Sequence, residues 1–203
     1  MLLQYPDEQV YGRLGDITAA VTGLTGTAHR DPLARVADWL GDQEPGAAQR
    51  HYVQTFDLSR RCSPYLTYYK YGDTRQRGMA LLALKHVYRR AGLEPAGTEL
   101  PDYLPAVLEF AALAPGDAGA RLLTGHRAGL ELLRQALHAA GSPYAEVLDA
   151  VTATLPAMSA RQAADVRRLA ADGPPAEQVG LDPAGTAPFA PPELLGGRME
   201  PRP

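Results

Sequence analysis

The chain has 203 residues, enough for one domain with a real core, since a domain of ~150 residues hides about 68–70% of its unfolded surface. Its 45% hydrophobic and 21% charged content is that of a soluble globular protein, and a net charge of -3 gives no reason to expect nucleic acid, whose phosphates attract basic surfaces. The single cysteine, Cys62, excludes an intramolecular disulfide and cysteine-based zinc sites.

The opening "MLLQYPDEQVYGRLGD" lacks the basic and long apolar regions of a secretory signal. No window approaches 18 unbroken apolar residues. The expected location is therefore cytoplasmic, with no membrane insertion. Periodicity is helical nearly throughout. Asp7 caps a first helix to about Leu24, and "GTAHRDP" breaks it. Asp31 as N-cap with Pro32 at the first helical position predicts a second start, and "EPGAAQRHYVQTFDL" a third helix. Ser63-Pro64 opens a short helix ending at Gly72, and Asp73 with Gln76 reads as a capping box for a helix to Arg90 closed by Gly92. Asp102 is placed as the cap of "YLPAVLEFAALA". Leu123, His126, Leu130, Leu133 and Leu137 predict one long helix ending at Gly141, followed by helices near 144–154 and 160–171. From Gly173 the composition shifts to Pro and Gly without periodicity. The expected fold class is all-α, with a helical domain over 1–172 and an extended tail over 173–203.

Catalytic and cofactor signatures are absent. The sequence has no Gly-rich phosphate loop, no His-Glu-x-x-His and no Gly-x-Ser-x-Gly. The histidines are scattered without a ligand-like i, i+4 pair, so no metal site and no cofactor is assigned. His126, on an apolar stripe, reads as a hydrogen-bonded core histidine, and Cys62, with no base near it in sequence, as structural. Arginine supplies all but two of the 20 cations, Lys70 and Lys85 being the exceptions, which is read as base composition.

One stretch stands apart. "CSPYLTYYKYGDTRQRG" crowds Tyr65, Tyr68, Tyr69 and Tyr71 into one span of a chain with 10 Tyr but 3 Phe and 1 Trp. Tyr65, Tyr68 and Tyr69 fall at i, i+3 and i+4. Such a face is either core or a binding surface, because a buried tyrosine must find a partner for its hydroxyl and tyrosine offers contact area at low entropic cost. Arg75 and Arg77 lie in a first helical turn, where the dipole disfavours cations by ~0.3–1 kcal/mol. They call for a carboxylate, either Asp57, Asp73 or Asp102 within the fold or one on a ligand.

The block "HYVQTFDLSRRCSPYLTYYKYGDTRQRGMALLALKHVYRRAGLE", followed by "ELPDYLPAVLEFAA", resembles the NarJ family, the nitrate reductase delta subunits, within the wider TorD-like group. The resemblance is densest over 50–112. It implies an all-helical, non-catalytic chaperone that binds the apo catalytic (alpha) subunit of respiratory nitrate reductase, including its N-terminal segment, until its molybdenum cofactor and iron–sulfur clusters are in place. The matching positions include Gly72, Gly78 and Leu100 and those taken as the client-peptide-binding set: Tyr52, Phe56, Asp57, Leu58, Tyr65, Leu66, Tyr68, Tyr69, Asp73, Arg75, Arg77, Glu99, Pro101 and Asp102. Tyr65, Tyr68 and Tyr69 would line an apolar floor, with Asp57, Glu99 and Asp102 meeting peptide cations. The wider group commonly has His where Tyr103 stands, so no role requiring an imidazole carries over. Competing readings are a chaperone for another molybdoenzyme, a helical nucleic-acid-binding regulator, and a small enzyme using Cys62 or His126.

Overall fold

A computed structural model describes residues 1–94 and 99–175. Among the described residues the protein is all-α, and its sole β-type pairing is an isolated antiparallel bridge between Tyr65 and Tyr103. Of the expected tail only 173–175 is described; the rest of it lies outside the described residues.

The N-terminal helical pattern divides into α1 (Glu8–Gly12) and α2 (Leu14–Thr22), with Arg13 between them. Asp7 caps α1 as expected, accepting from the Val10 N–H at 3.0 Å. The next helix, α3 (Thr27–Asp42), starts five residues before the predicted site and carries Pro32 inside it. Gly26 is its N-cap and accepts from the Arg30 N–H at 2.8 Å. His29 Nδ1, 3.3 Å from the Ala150 carbonyl, ties this early turn to a distant helix. Asp31 instead pairs with its neighbour Arg30. Tertiary contacts thus override the Asp-Pro start signal.

The third expected helix is α4 (Pro45–Tyr52), which widens into a π-helical turn over Val53–Asp57. A 3-10 turn at Arg60–Cys62 precedes α5 (Leu66–Tyr71) and α6 (Arg75–Arg90). The α5 N-cap is Tyr65, two residues beyond the predicted Ser63. Thr74, not Asp73, is the α6 N-cap, and it makes no side-chain cap bond. At the other end Gly92, φ +75°, closes α6 as read from sequence. Its N–H and that of Leu93 bond the Arg89 and Tyr88 carbonyls at 3.0 Å, a Schellman arrangement.

After α7 (Leu104–Leu113), the predicted long helix is two, α8 (Ala118–Gly125) and α9 (Arg127–Ala139), hinged at His126. His126 is half-buried, and its Nδ1 lies 3.0 Å from the Leu122 carbonyl. The last helices, α10 (Ala145–Ala153) and α11 (Ala160–Asp172), fall where the periodicity placed them. Ser159 and Gln162 form the capping box that opens α11.

The core is built around α9, whose Leu130, Leu133 and Leu137 are fully buried among α5, α10 and α11. An aromatic group of Trp39, His51, Tyr52, Phe56 and Tyr144 fills the space beside it, with neighbouring rings 4.8 to 6.0 Å apart. Arg134 clamps α9 to α10 by bonding Glu131 and Asp149 at 2.8 and 2.9 Å. Cys62 is buried, and burial pushes its thiol up, consistent with a packing role.

Candidate functional site

The tyrosine stretch is organised by a carboxylate 35 residues away. Asp102 is fully buried. Its Oδ2 accepts from the Thr67 N–H at 3.2 Å and the Thr67 hydroxyl at 2.5 Å. Thr67 is the second residue of α5, so Asp102 caps α5 from across the fold rather than the helix that follows it, whose N-cap is Tyr103. Two backbone bonds run beside it: Leu66 N–H to Asp102 O at 3.0 Å, and Leu104 N–H to Pro64 O at 2.8 Å. The starts of α5 and α7 are thereby joined.

Arg77 completes the arrangement. Its Nη2 lies 3.6 Å from Asp102 Oδ2, its Nη1 3.3 Å from Asp73 Oδ1, and its Nε donates to Thr67 Oγ1 at 3.3 Å. The guanidinium sits over both the Tyr65 and Tyr68 rings, 5.7 and 5.9 Å from their centroids. The cation placed against the dipole of α6 is therefore held by internal carboxylates.

The predicted residues separate into two groups. Tyr52, Phe56, Leu66, Tyr69, Pro101 and Asp102 are buried. The Tyr69 hydroxyl donates to the Arg61 and Ser63 carbonyls at 3.0 and 2.9 Å. The Pro101 carbonyl accepts from Tyr88 at 2.7 Å. Tyr52 faces Tyr103, hydroxyl to hydroxyl, at 3.0 Å. Tyr69 thus belongs mainly to the core, reaching the surface only at the wall of a groove it shares with Tyr68, and Asp102 spends its charge on Thr67 and Arg77 and is closed to solvent. These are corrections to the expected surface: Tyr69 is turned inward by carbonyls six and eight positions before it, and Asp102 by Thr67, 35 positions away, and Arg77.

The second group reaches solvent: Asp57, Leu58, Tyr65, Tyr68, Asp73, Arg75, Arg77 and Glu99. Here Tyr65 and Tyr103 pack at 5.6 Å between centroids, and the Tyr65 hydroxyl points to Glu99 at 3.5 Å. Burial, and then Glu99, push the Tyr65 phenol up to about 12. Burial likewise raises Tyr103, with smaller contributions from the charges of Glu99 and Asp57. Glu99 thus acts on both tyrosines, and Asp57 on Tyr103. Leu58, 75% exposed, and Leu100 add apolar surface. Tyr68 borders a separate groove of about 510 Å³ whose walls include Arg60, Arg61, Leu132 and Leu169. Tyr103 and Thr67 are the residues that sequence reasoning missed. Their signal was spatial, except that Tyr103 follows the Pro-Asp step directly.

Among the described residues no three His, Cys, Asp or Glu side chains gather as metal ligands. Among them, too, no helix is long and apolar enough to cross a membrane.

The class of protein that these features define is an all-α helical domain. The sequence model of the nitrate reductase delta subunit family matches residues 25–150, more than half of the chain, and the chain belongs to that family. It is 35% identical to the probable nitrate reductase molybdenum cofactor assembly chaperone NarJ of Bacillus subtilis over 164 residues, 81% of this chain and 89% of that protein. It is 31% identical to the nitrate reductase molybdenum cofactor assembly chaperone NarJ of Escherichia coli, over 73% of this chain and 64% of that one. The nitrate reductase-like protein NarX of Mycobacterium tuberculosis is 41% identical over 154 residues, 76% of this chain. The chain spans only 23% of the length of NarX.

Proposed function

We propose that this protein is a non-enzymatic assembly chaperone for a respiratory nitrate reductase. In this reading it binds the apo catalytic (alpha) subunit in the cytoplasm, including its N-terminal segment, until the molybdenum cofactor and iron–sulfur clusters are in place. The family membership and the names of the Bacillus and Escherichia relatives support the class of function.

The observation that carries the recognition mode is the Tyr65–Tyr103 pair, whose Tyr65 hydroxyl meets Glu99 at 3.5 Å and whose Tyr103 phenol feels the charge of Asp57, the chain neighbour of the exposed Leu58. Aromatic and aliphatic surface bordered by carboxylates suits an amphipathic, basic peptide segment. Since Asp102 is consumed inside the fold, Asp57 and Glu99 are the acids left to meet peptide cations. Asp102, Thr67 and Arg77 act as positioning residues for Tyr65.

The test is calorimetric titration with a peptide from the N-terminus of the cognate catalytic subunit. An Asp57→Asn, Glu99→Gln double variant, nearly isosteric and altered only at exposed positions, is expected to lose roughly tenfold or more in affinity. Equal affinity of variant and wild type would move the recognition surface elsewhere.

A further inference from the structure

The charge of this chain is segregated. Between residues 60 and 90 the sequence carries eight cations, Arg60, Arg61, Lys70, Arg75, Arg77, Lys85, Arg89 and Arg90, against one acid, Asp73. That is a net +7 in a chain of net -3, leaving -10 on the remainder. Helix α6 alone holds five of these cations and no acid.

The faces of α6 divide sharply. Leu84 and Tyr88 are buried, with Tyr88 stacked on Phe110 at 4.4 Å. On the opposite side, at spacings of three and four, Arg75, Met79, Leu82, His86 and Arg90 share an outward stripe. Met79 is 69% exposed and Leu82 52%. Lys85 borders the stripe and, like Arg90, has no ion-pair partner among the described residues. Two bare aliphatic side chains thus lie midway along a basic ridge of roughly 22 Å at 1.5 Å per residue.

We infer that the outward face of α6 docks an acidic amphipathic helical segment of a partner protein. Charge complementarity argues for the acidic character, and Met79 with Leu82 for an apolar stripe on the partner. Methionine suits such a surface because its flexible thioether adapts to varied partners. An anionic bilayer is disfavoured because an in-plane helix buries a whole apolar face, and the outward face of α6 offers two large apolar side chains, Met79 and Leu82. Nucleic acid is disfavoured because the stripe offers the single small ring of His86, whereas single-strand sites stack successive bases on a series of aromatic side chains. This surface is distinct from the acid-flanked tyrosine face, and the inference stands without the client assignment.

Fluorescence anisotropy of the full chain with a labelled synthetic helix of about five turns tests this. The probe carries leucines at i, i+3, i+4 and i+7 flanked by glutamates, and a control probe carries lysines instead. Saturable binding of the glutamate probe is expected. Roughly tenfold weakening is expected between about 50 and 300 mM salt, and again in Met79→Ser/Leu82→Ser and in Lys85→Glu/Arg90→Glu variants. All four positions are exposed, so folding survives, which circular dichroism checks. The Asp57→Asn/Glu99→Gln variant should bind the probe normally. No binding of the glutamate probe, equal binding of the lysine probe, or indifference to the α6 variants would overturn the inference. So would tighter binding of phosphatidylcholine–phosphatidylglycerol vesicles or of a single-stranded oligonucleotide at the same face.

Discussion

Asp102 and Thr67 lie 35 positions apart, yet one carboxylate oxygen of Asp102 accepts both the backbone N–H and the hydroxyl of Thr67. Removing this carboxylate strands two donors and the Arg77 guanidinium together. Breaking a buried charged pair costs about 3–5 kcal/mol, so Asp102→Ala is expected to lose stability of that order in urea unfolding. Asp102→Asn keeps an acceptor oxygen and should lose clearly less. Equal losses in the two variants would mean that the lost negative charge facing Arg77, and not the acceptor oxygen, sets the cost.

Two helical glycines should respond oppositely to alanine. A Cβ on Gly119 would collide with the Ala111 Cα and stand 2.6 Å from its carbonyl oxygen, so α7 and α8 must part to admit it. Gly78, inside α6, has open space around it. Gly78→Ala is expected to raise stability by up to about 1 kcal/mol through helix propensity, while Gly119→Ala lowers it despite the same propensity gain. Thermal melts of the two variants check the sign.

Buried tyrosine hydroxyls offer a second contrast. That of Tyr69 donates to two carbonyls, whereas that of Tyr144 is buried without a hydrogen-bond partner among the described residues. Tyr69→Phe should therefore cost about 1–2 kcal/mol, and Tyr144→Phe should be neutral or mildly stabilising. Chemical denaturation of both variants distinguishes them.

Stability should fall on mild acidification. Burial holds His51 and His126 below the usual imidazole value of 6.5. The unfolded chain then takes up protons first as pH drops through 6.5, so the folded state loses ground until its own lowered values are passed. The melting temperature is expected to decline between about pH 7.5 and 5.5. A His51→Gln, His126→Gln variant should show a flatter profile over that window. Glu131 and Asp149 are also lowered, through arginine and histidine hydrogen bonds that outweigh their desolvation, but they respond at more acid pH. An unchanged slope in the variant would place the response on other groups.

What the chain reveals locally, it reveals in sequence. The Asp7 cap, the Gly92 stop and the α10 and α11 spans depend on neighbours within a few residues, and all were legible. The α3 start was not, because His29 meets Ala150, 121 positions on. The division of α8 from α9 at His126 escaped periodicity, since Leu123 and Leu130 lie in one core on both sides of the break. The tyrosine face was half legible. Its composition marked it out, but which rings turn inward depends on the Arg61 and Ser63 carbonyls and on Asp102. Asp102 read as a cap and is one, of a different helix.

The two backbone bonds that join Pro64–Leu66 to Asp102–Leu104 make the intervening stretch an excursion that departs and returns through one narrow neck. Helix α6 is the arm of that excursion. Its outward face can change with the bundle beneath still closing, because the neck, with Arg77 on Asp102 and Tyr88 on Pro101, fixes where the arm departs and re-enters. The surface carried on such an arm is free to diversify while the fold that bears it is kept.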